Sequence, residues 1–417
     1  MRLTSEIVDL CRRQFPALSR RVGERLAAFL DGPGGTQVPQ RVIEAVSNTL
    51  AHRNANQCGL FATSQEADRM IAEAQRAMCD FLGTDDPRTI VFGQNMTSLT
   101  FALSRSLART WKPADEIVVT RLDHDANVSP WVLAARDAGA TIRWAGIKSE
   151  DCTLDLDELR HLINERTRLV AVGAASNATG GINPIRDIAD WARAVGARLF
   201  VDAVHYAPHG LIDVQAWGCD FLACSAYKFF GPHIGILWGR RELLESLDAY
   251  KVRPAPLAPP YKWMTGTQSH EGIAGAAAAV DYLADFGRLL AASDALTRRA
   301  ALREAYREIA HYERQLARQL LAGLAAMPAI KVHGITDPER LDERFATVSF
   351  THDRFTPREM AERLGRQGFF VWHGNYYALN LTEALDLEPD GMLRVGLVHY
   401  NTPTEVDRLL EAVRGLR

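Results

Sequence analysis

Cysteine is scarce in this chain and unevenly placed. The six residues, Cys11, Cys58, Cys79, Cys152, Cys219 and Cys224, all fall before position 225 of 417, and none forms a Cys-x-x-Cys pair. That spacing argues against a disulfide framework and against a structural zinc site, and leaves each cysteine as a small apolar core residue. An excess of one charge is lacking too. The net charge is -3, and no block of Lys or Arg marks a nucleic-acid or anionic-membrane surface. Long apolar runs are missing as well. Residues 1–17 are interrupted by Glu6, Asp9, Arg12 and Arg13, so no signal peptide or membrane span is expected, which points to the cytoplasm. No Gly-x-Gly-x-x-Gly follows a strand, and Gly-x-x-x-x-Gly-Lys-[Ser/Thr], His-Glu-x-x-His and Gly-x-Ser-x-Gly are absent. Dinucleotide, P-loop, zinc-hydrolase and serine-hydrolase readings therefore have no anchor.

What is present is the composition of an ordinary globular protein, 47% hydrophobic and 24% charged, at a length that allows two or three domains. Short runs rich in Val, Ile and Phe at 89–92, 116–120, 141–144, 169–173, 199–201 and 221–225 alternate with helical patterns. Runs apolar on both faces and separated by helices predict an α/β fold with a mainly parallel sheet covered on both sides. Asp155 with Glu158 marks a capped helix start between two of them. An Ala-rich stretch near Gly275 reads as a tightly packed helix, and 291–327 as a long connecting helix or helix pair. A second α/β pattern follows, with strands at 345–350 and 393–398 and a helix at 357–366. The final helix opens with Thr402 as N-cap, Pro403 in the first turn and Glu405 closing the box. The expected organisation is an N-terminal segment, 1–30, packed on a small C-terminal domain, a large domain over 31–290, and the connecting helix with the small domain over 291–417.

Two strand ends carry chemistry. In Arg198-Leu-Phe-Val-Asp202-Ala-Val-His205 a carboxylate directly follows a buried strand, which is costly unless something positive meets it. In Ser225-Ala-Tyr-Lys228-Phe-Phe-Gly231-Pro232 a lysine among aromatics follows the next strand. Open parallel sheets bind ligands beyond the carboxyl ends of their strands, so Asp202 and Lys228 both stand at the ligand edge. Alone, the pair could be an edge salt bridge or two solvated loop residues. Pyridoxal 5'-phosphate (PLP) chemistry needs such a pair, an amine to hold the aldehyde and an acid to keep the pyridine nitrogen protonated.

These two segments resemble the cofactor motifs of class V aminotransferase-type PLP enzymes, nearest the cysteine desulfurase and selenocysteine lyase-like branch, and the likeness runs from 29–36 to the last helix. The resemblance implies fold type I, with a large seven-stranded sheet domain, a small C-terminal α/β domain and a homodimer whose active site is shared between subunits. It implies Lys228 as the Schiff-base lysine, Asp202 as the pyridine partner, Ser225 as a phosphate ligand and His124 as the imidazole over the ring face. Asn177 matches a residue near the ring hydroxyl and substrate. His205 stands where the family usually has Gln against that hydroxyl, and remains a donor. Asn95 and Met96 open a helix after a strand, a natural phosphate seat, although the family has a Gly-Thr-Thr type sequence there. His270 replaces the Thr of a loop that reaches the partner subunit's phosphate. Arg394 matches the arginine that grips the substrate's α-carboxylate, a task suited to a planar guanidinium.

The likeness departs at 371–378. Desulfurases carry a persulfide-forming cysteine on this loop. Here Tyr377 takes its place, Trp372 replaces an arginine, and no cysteine follows Cys224. Trp372, Tyr376 and Tyr377 could line a roomier aromatic pocket or belong to the small-domain core. The expected activity is a PLP-dependent β-lyase acting on a sulfur or selenium amino acid without a cysteine acceptor. Aminotransfer, epimerisation or another reaction at Cα uses the same machinery, and a non-catalytic binding protein on the same fold is the third reading.

Overall fold

The computed structural model describes residues 3–416. Its large sheet is built from β1 (Ile90–Gly93), β2 (Glu116–Thr120), β3 (Thr141–Ala145), β4 (Thr167–Gly173), β5 (Arg198–Asp202), β6 (Phe221–Ser225) and β7 (Gly235–Gly239). The spatial order is β1-β7-β6-β5-β4-β2-β3. Every residue of β2, β6 and β7 is buried, as expected for strands with helices on both faces. All neighbours run parallel except β7, which is antiparallel to both β6 and β1. β7 is the strand that the sequence pattern does not announce. It follows β6 through a turn, with no intervening helix to separate the two.

Helices α1 (Met96–Ala108), α2 (His270–Ala291) and α3 (Arg298–Ala325) matter most for the site. The helical block expected over 291–327 holds one long helix, α3, and the Ala-rich helix expected near Gly275 is α2, which ends at Ala291. The break follows Ala292, whose φ of 51° ends α2, and Thr297 then caps α3 through Ala300 N–H. Gly287 lets α2 and α3 cross closely, since a Cβ there would lie 1.9 Å from Ala301 O.

A four-stranded antiparallel sheet, β8 (Ile330–His333), β9 (Thr347–His352), β10 (Trp372–Gly374) and β11 (Met392–Gly396), has the order β8-β9-β11-β10. The N-terminal segment joins this part of the molecule. Ala28 and Phe29 pair with Phe369 and Phe370, and Asp31 bridges to Gly396. The last helix, Pro403–Arg414, carries the complete capping box on Thr402 and Glu405. Two apolar cores result. α3 serves both, with Tyr306 and Ile309 in the first and Tyr312 and Leu316 in the second. Among the described residues no helix is long and apolar enough to cross a membrane.

Candidate active site

The carboxyl ends of β4, β5 and β6 open into a recess, the place where open α/β sheets bind ligands. Lys228, Asp202, His205, Ser225, His124, Asn95, Met96 and Asn177 all line it. Lys228 sits in a 3-10 turn over Ala226–Lys228, directly after β6. Its Nζ donates to Pro33 O and lies 4.7 Å from the centre of the Tyr227 ring. Burial, and then the charge of Arg394, pull its pKa down to about 7, against the opposing pull of Asp31 and Asp202. Much of the amine is thus neutral near neutral pH, the form that attacks an aldehyde.

Asp202 is buried, and its Oδ1 accepts Val204 N–H at 2.8 Å. Desolvation raises its pKa to about 6, and Lys228 pulls the other way. A second buried acid, Asp123, lies on the same wall. Its Oδ1 accepts Gly173 N–H at 2.8 Å and its Oδ2 accepts Asn127 Nδ2–H at 3.0 Å. A Cβ at Gly173 would come within 2.5 Å of that carboxylate, so the position needs glycine. Burial first, and then the charge of Asp202, push Asp123 up to about 8. Sequence reasoning passed over Asp123, although it also follows a buried strand and stands next to His124.

His124 accepts Ala126 N–H on Nδ1 at 3.0 Å. Burial, then Lys228 and Arg394, lower its pKa to about 4, so the ring is neutral at pH 7. Tyr377 stacks on it at 5.3 Å and 24° while remaining 72% exposed, and Tyr377 O accepts Asp125 N–H. Tyr376 and Tyr377 both have left-handed φ, 56° and 59°, a conformation costly for such residues. The loop is held there by Asn177 Nδ2–H donating to Tyr376 O at 2.9 Å.

Arg394, on β11, is buried at the margin of the recess. It donates to Asn177 O and to Asp31 Oδ1, each at 2.9 Å, and lies 4.2 Å from the centre of the Tyr376 ring. Its Nε is buried without a partner. Asp31 is a further residue that the sequence did not single out, and Tyr376, one of the aromatics it did, is buried against Arg394. At the other end, Asn95 caps α1 through Ser98 N–H, and Ser225 Oγ accepts Met96 N–H at 3.1 Å. The positive end of α1 therefore faces the recess, as an anion seat requires. Of the expected residues, Arg394 and Tyr377 stand beside this recess without lining it, and two are not brought to it at all. Trp372 pairs in register with Arg394 but is 56% exposed and lines a separate groove beside Asp31 and Phe29. His270 lies at the start of α2 with Nδ1 3.1 Å from Ala55 O.

The aminotransferase class-V family model matches residues 28–409. The chain belongs to that family. Among class V relatives, a Streptomyces coelicolor protein named "Probable cysteine desulfurase" is 31% identical, over 98% of this chain and 97% of its own. A cysteine desulfurase of Pectobacterium carotovorum is 29% identical over the same shares. The crystal structure of the Escherichia coli cysteine desulfurase CsdA superposes with a TM-score of 0.83 at 26% identity, covering 98% of this chain and 97% of that one. An apo cysteine desulfurase structure from Thermococcus onnurineus gives 0.86 at 25% identity, covering 100% and 99%.

A class V chain is a PLP-dependent enzyme, and the residues here fit that cofactor. His205 Nε2 is buried with no partner in the recess wall, an anion seat lies at α1, and a buried acid and a neutral-leaning amine share the same space. Among the described residues no cluster of His, Cys, Asp or Glu could hold a metal ion.

Asp123 gives a stability prediction. Its folded pKa lies above its ordinary 3.8, so its protonated form stabilises the fold at low pH, and this contribution is lost as pH rises through about 8. Asn cannot ionise. The melting temperature of cofactor-free Asp123→Asn, relative to the parent, is therefore expected to climb between pH 5 and 9. A flat difference across that range would show that Asp123 does not titrate there.

Proposed function

We propose that this class V enzyme is a β-lyase that cleaves the carbon–sulfur, or carbon–selenium, bond of an amino acid without forming a persulfide on itself. The observation that carries the reading is the contact between Tyr377 and His124. The small-domain loop reaches the recess and presents a phenol, and the cysteines offer no substitute. Five of the six are buried, and Cys58 alone is exposed.

PLP, when bound, supplies an electron-accepting ring conjugated to the substrate's Cα. Lys228 Nζ would hold the cofactor and, when free, would take the Cα proton; a base with pKa near the working pH suits that step. Asp202 would hold the ring nitrogen protonated, and neutral His124 would cover the ring face. Ser225, Asn95 and Met96 form the phosphate seat. Arg394 and Asn177 orient the α-carboxylate, and Tyr377 covers the entrance on the side of His124. The C–S bond breaks with its electron pair on sulfur, so the overall reaction consumes one water and yields pyruvate, ammonia and sulfide. No oxidant or thiol acceptor enters.

Holoenzyme mixed with a panel of sulfur and selenium amino acids is expected to release pyruvate and sulfide in equal amounts with no added thiol. Cys58→Ser is expected to keep at least half of the parent kcat. A strict need for added thiol, or loss of turnover in Cys58→Ser, would move the protein to the persulfide-forming desulfurases; turnover only with a keto acid would move it to aminotransfer.

The working unit in this reading is a cytoplasmic homodimer. Leu60 and Phe61, with Val252 and Leu257, are exposed. The Ala55 contact of His270 ties the 55–61 segment to the loop expected to reach the second subunit's phosphate. Light scattering that gave the mass of one chain at micromolar concentration would remove this part of the proposal.

A further inference from the structure

Behind the recess wall lies a buried acid that no Lys or Arg among the described residues balances. Glu313 stands on α3 where the two cores meet, between Ile309 of the first and Leu316 of the second. Its Oε2 is 2.6 Å from His209 Nδ1, and the two side chains are 2% and 0% exposed. The His209 ring stacks on Phe345 at 4.8 Å and meets the His205 ring nearly edge-on at 5.2 Å. Nε2 of both histidines and Oε1 of Glu313 are buried without partners. A buried carboxylate held only for packing could be exchanged for an apolar side chain without loss, because desolvation offsets much of its attraction to a partner. Its presence where two apolar cores meet asks for another role.

We propose that Glu313 is a positioning residue for His205, acting through His209. It accepts the Nδ1 proton of His209 and so fixes that ring with Nε2 as the acceptor. The fixed ring then holds His205 in one orientation on the wall of the recess, where it meets the cofactor's ring hydroxyl. This rests on the reading of the recess as the PLP site. It reaches beyond that site, to a helix that contributes no lining residue.

The surroundings agree. His399 stands beside Glu313, and its ring is engaged by Tyr282 OH at 2.7 Å. Tyr306 and Tyr312 add hydroxyls near the acid, but each donates to a backbone carbonyl, of Ala207 and Asn401. His209 is therefore left as the side-chain donor. At the other end, burial and then the charges of His209, Arg394 and Lys228 all oppose protonation of His205, whose pKa falls well below its ordinary value. His205 thus acts as a neutral imidazole, whose role depends on which nitrogen carries the proton.

Two readings test the proposal. In cofactor-free protein with ¹⁵N-labelled histidine, one exchange-protected imidazole N–H, assigned by its loss in His209→Phe, is expected in the parent and in Glu313→Gln, and should vanish in Glu313→Leu. In the PLP-loaded protein, the pH midpoint of the cofactor's visible band is expected to move by at least about 0.5 unit in Glu313→Leu and to return most of the way in Glu313→Gln, which keeps an acceptor. If Glu313→Leu does not fold, His209→Phe makes the same comparison. A parent without the protected N–H, or a folded Glu313→Leu or His209→Phe with an unmoved midpoint, overturns the proposal. A parent that never forms the visible band overturns the PLP reading instead, while the cofactor-free spectrum still judges the link from Glu313 to His209.

Discussion

Lys228→Ala is expected to lower kcat/KM by at least about 10⁴-fold, the upper range for loss of a positioned acid–base group, and to abolish the covalent pyridoxyl adduct that borohydride fixes in the parent. Two tasks fall on one amine in this reading, holding the cofactor and moving the Cα proton. The electrostatics suit both. Burial and the nearby guanidinium of Arg394 bring the amine to about 7, so it is neither permanently charged nor too weak a base. The fold is expected to survive, because truncation removes a desolvated amine whose hydrogen bond goes to a single carbonyl, that of Pro33. Near-UV circular dichroism of the variant should match that of the cofactor-free parent. Turnover at the parent rate, or adduct recovered on another residue, would remove Lys228 from its assigned role.

Arg394→Lys is expected to act on binding, raising KM far more than it lowers kcat. Truncating one member of a buried, hydrogen-bonded charge pair costs about 2–5 kcal/mol, a factor of about 30 to several thousand in kcat/KM. Lysine is the sharper test than alanine because it keeps a positive charge beside the half-buried Asp31, which alanine would leave without its partner. What lysine loses is the fork, since a point charge cannot meet a planar carboxylate through two parallel bonds. The substitution also withdraws the guanidinium face from Tyr376 and the bond to Asn177 O, and with them the support of the loop that carries Tyr377. Titration of the cofactor's absorption with substrate measures the affinity directly. An unchanged KM would show that the carboxylate is held elsewhere.

The large sheet was legible because its strands are short, apolar on both faces and spaced by helices, a pattern that local sequence records. β7 escaped because direction is not a local property. Gly235 to Gly239 looks like any buried run, and only pairing with β6 and β1 shows that it turns back. Lys228 and Asp202 could be found because each stands at the carboxyl end of a buried strand. Asp123 obeyed the same rule and was overlooked beside the more familiar His124. Asp31 offered no such signal. Its meaning lies in Arg394, 363 residues away, and no periodicity reports a bond of that reach. Glu313 was hidden for the opposite reason. It lies in a helix dense in Arg and Glu, where an acid reads as surface, and only the crossing of α3 between two cores buries it.

The reversal of β7 bears on how freely the segment around Lys228 can vary. Parallel neighbours must be joined by a crossover, whose length a sheet tolerates because the excess runs over the surface. Lys228 is in no such crossover. Ser225 and Gly235 face each other across the ladder, so the nine positions 226–234 form a short bight fastened at both feet. Gly235 also abuts Asn95, where a Cβ would lie 2.4 Å from the backbone carbon. One residue inserted there cannot spill outward; it must rotate the lysine or push against the first turn of α1. The same insertion after β2 or β4 would lengthen a connection and leave the amine where it was.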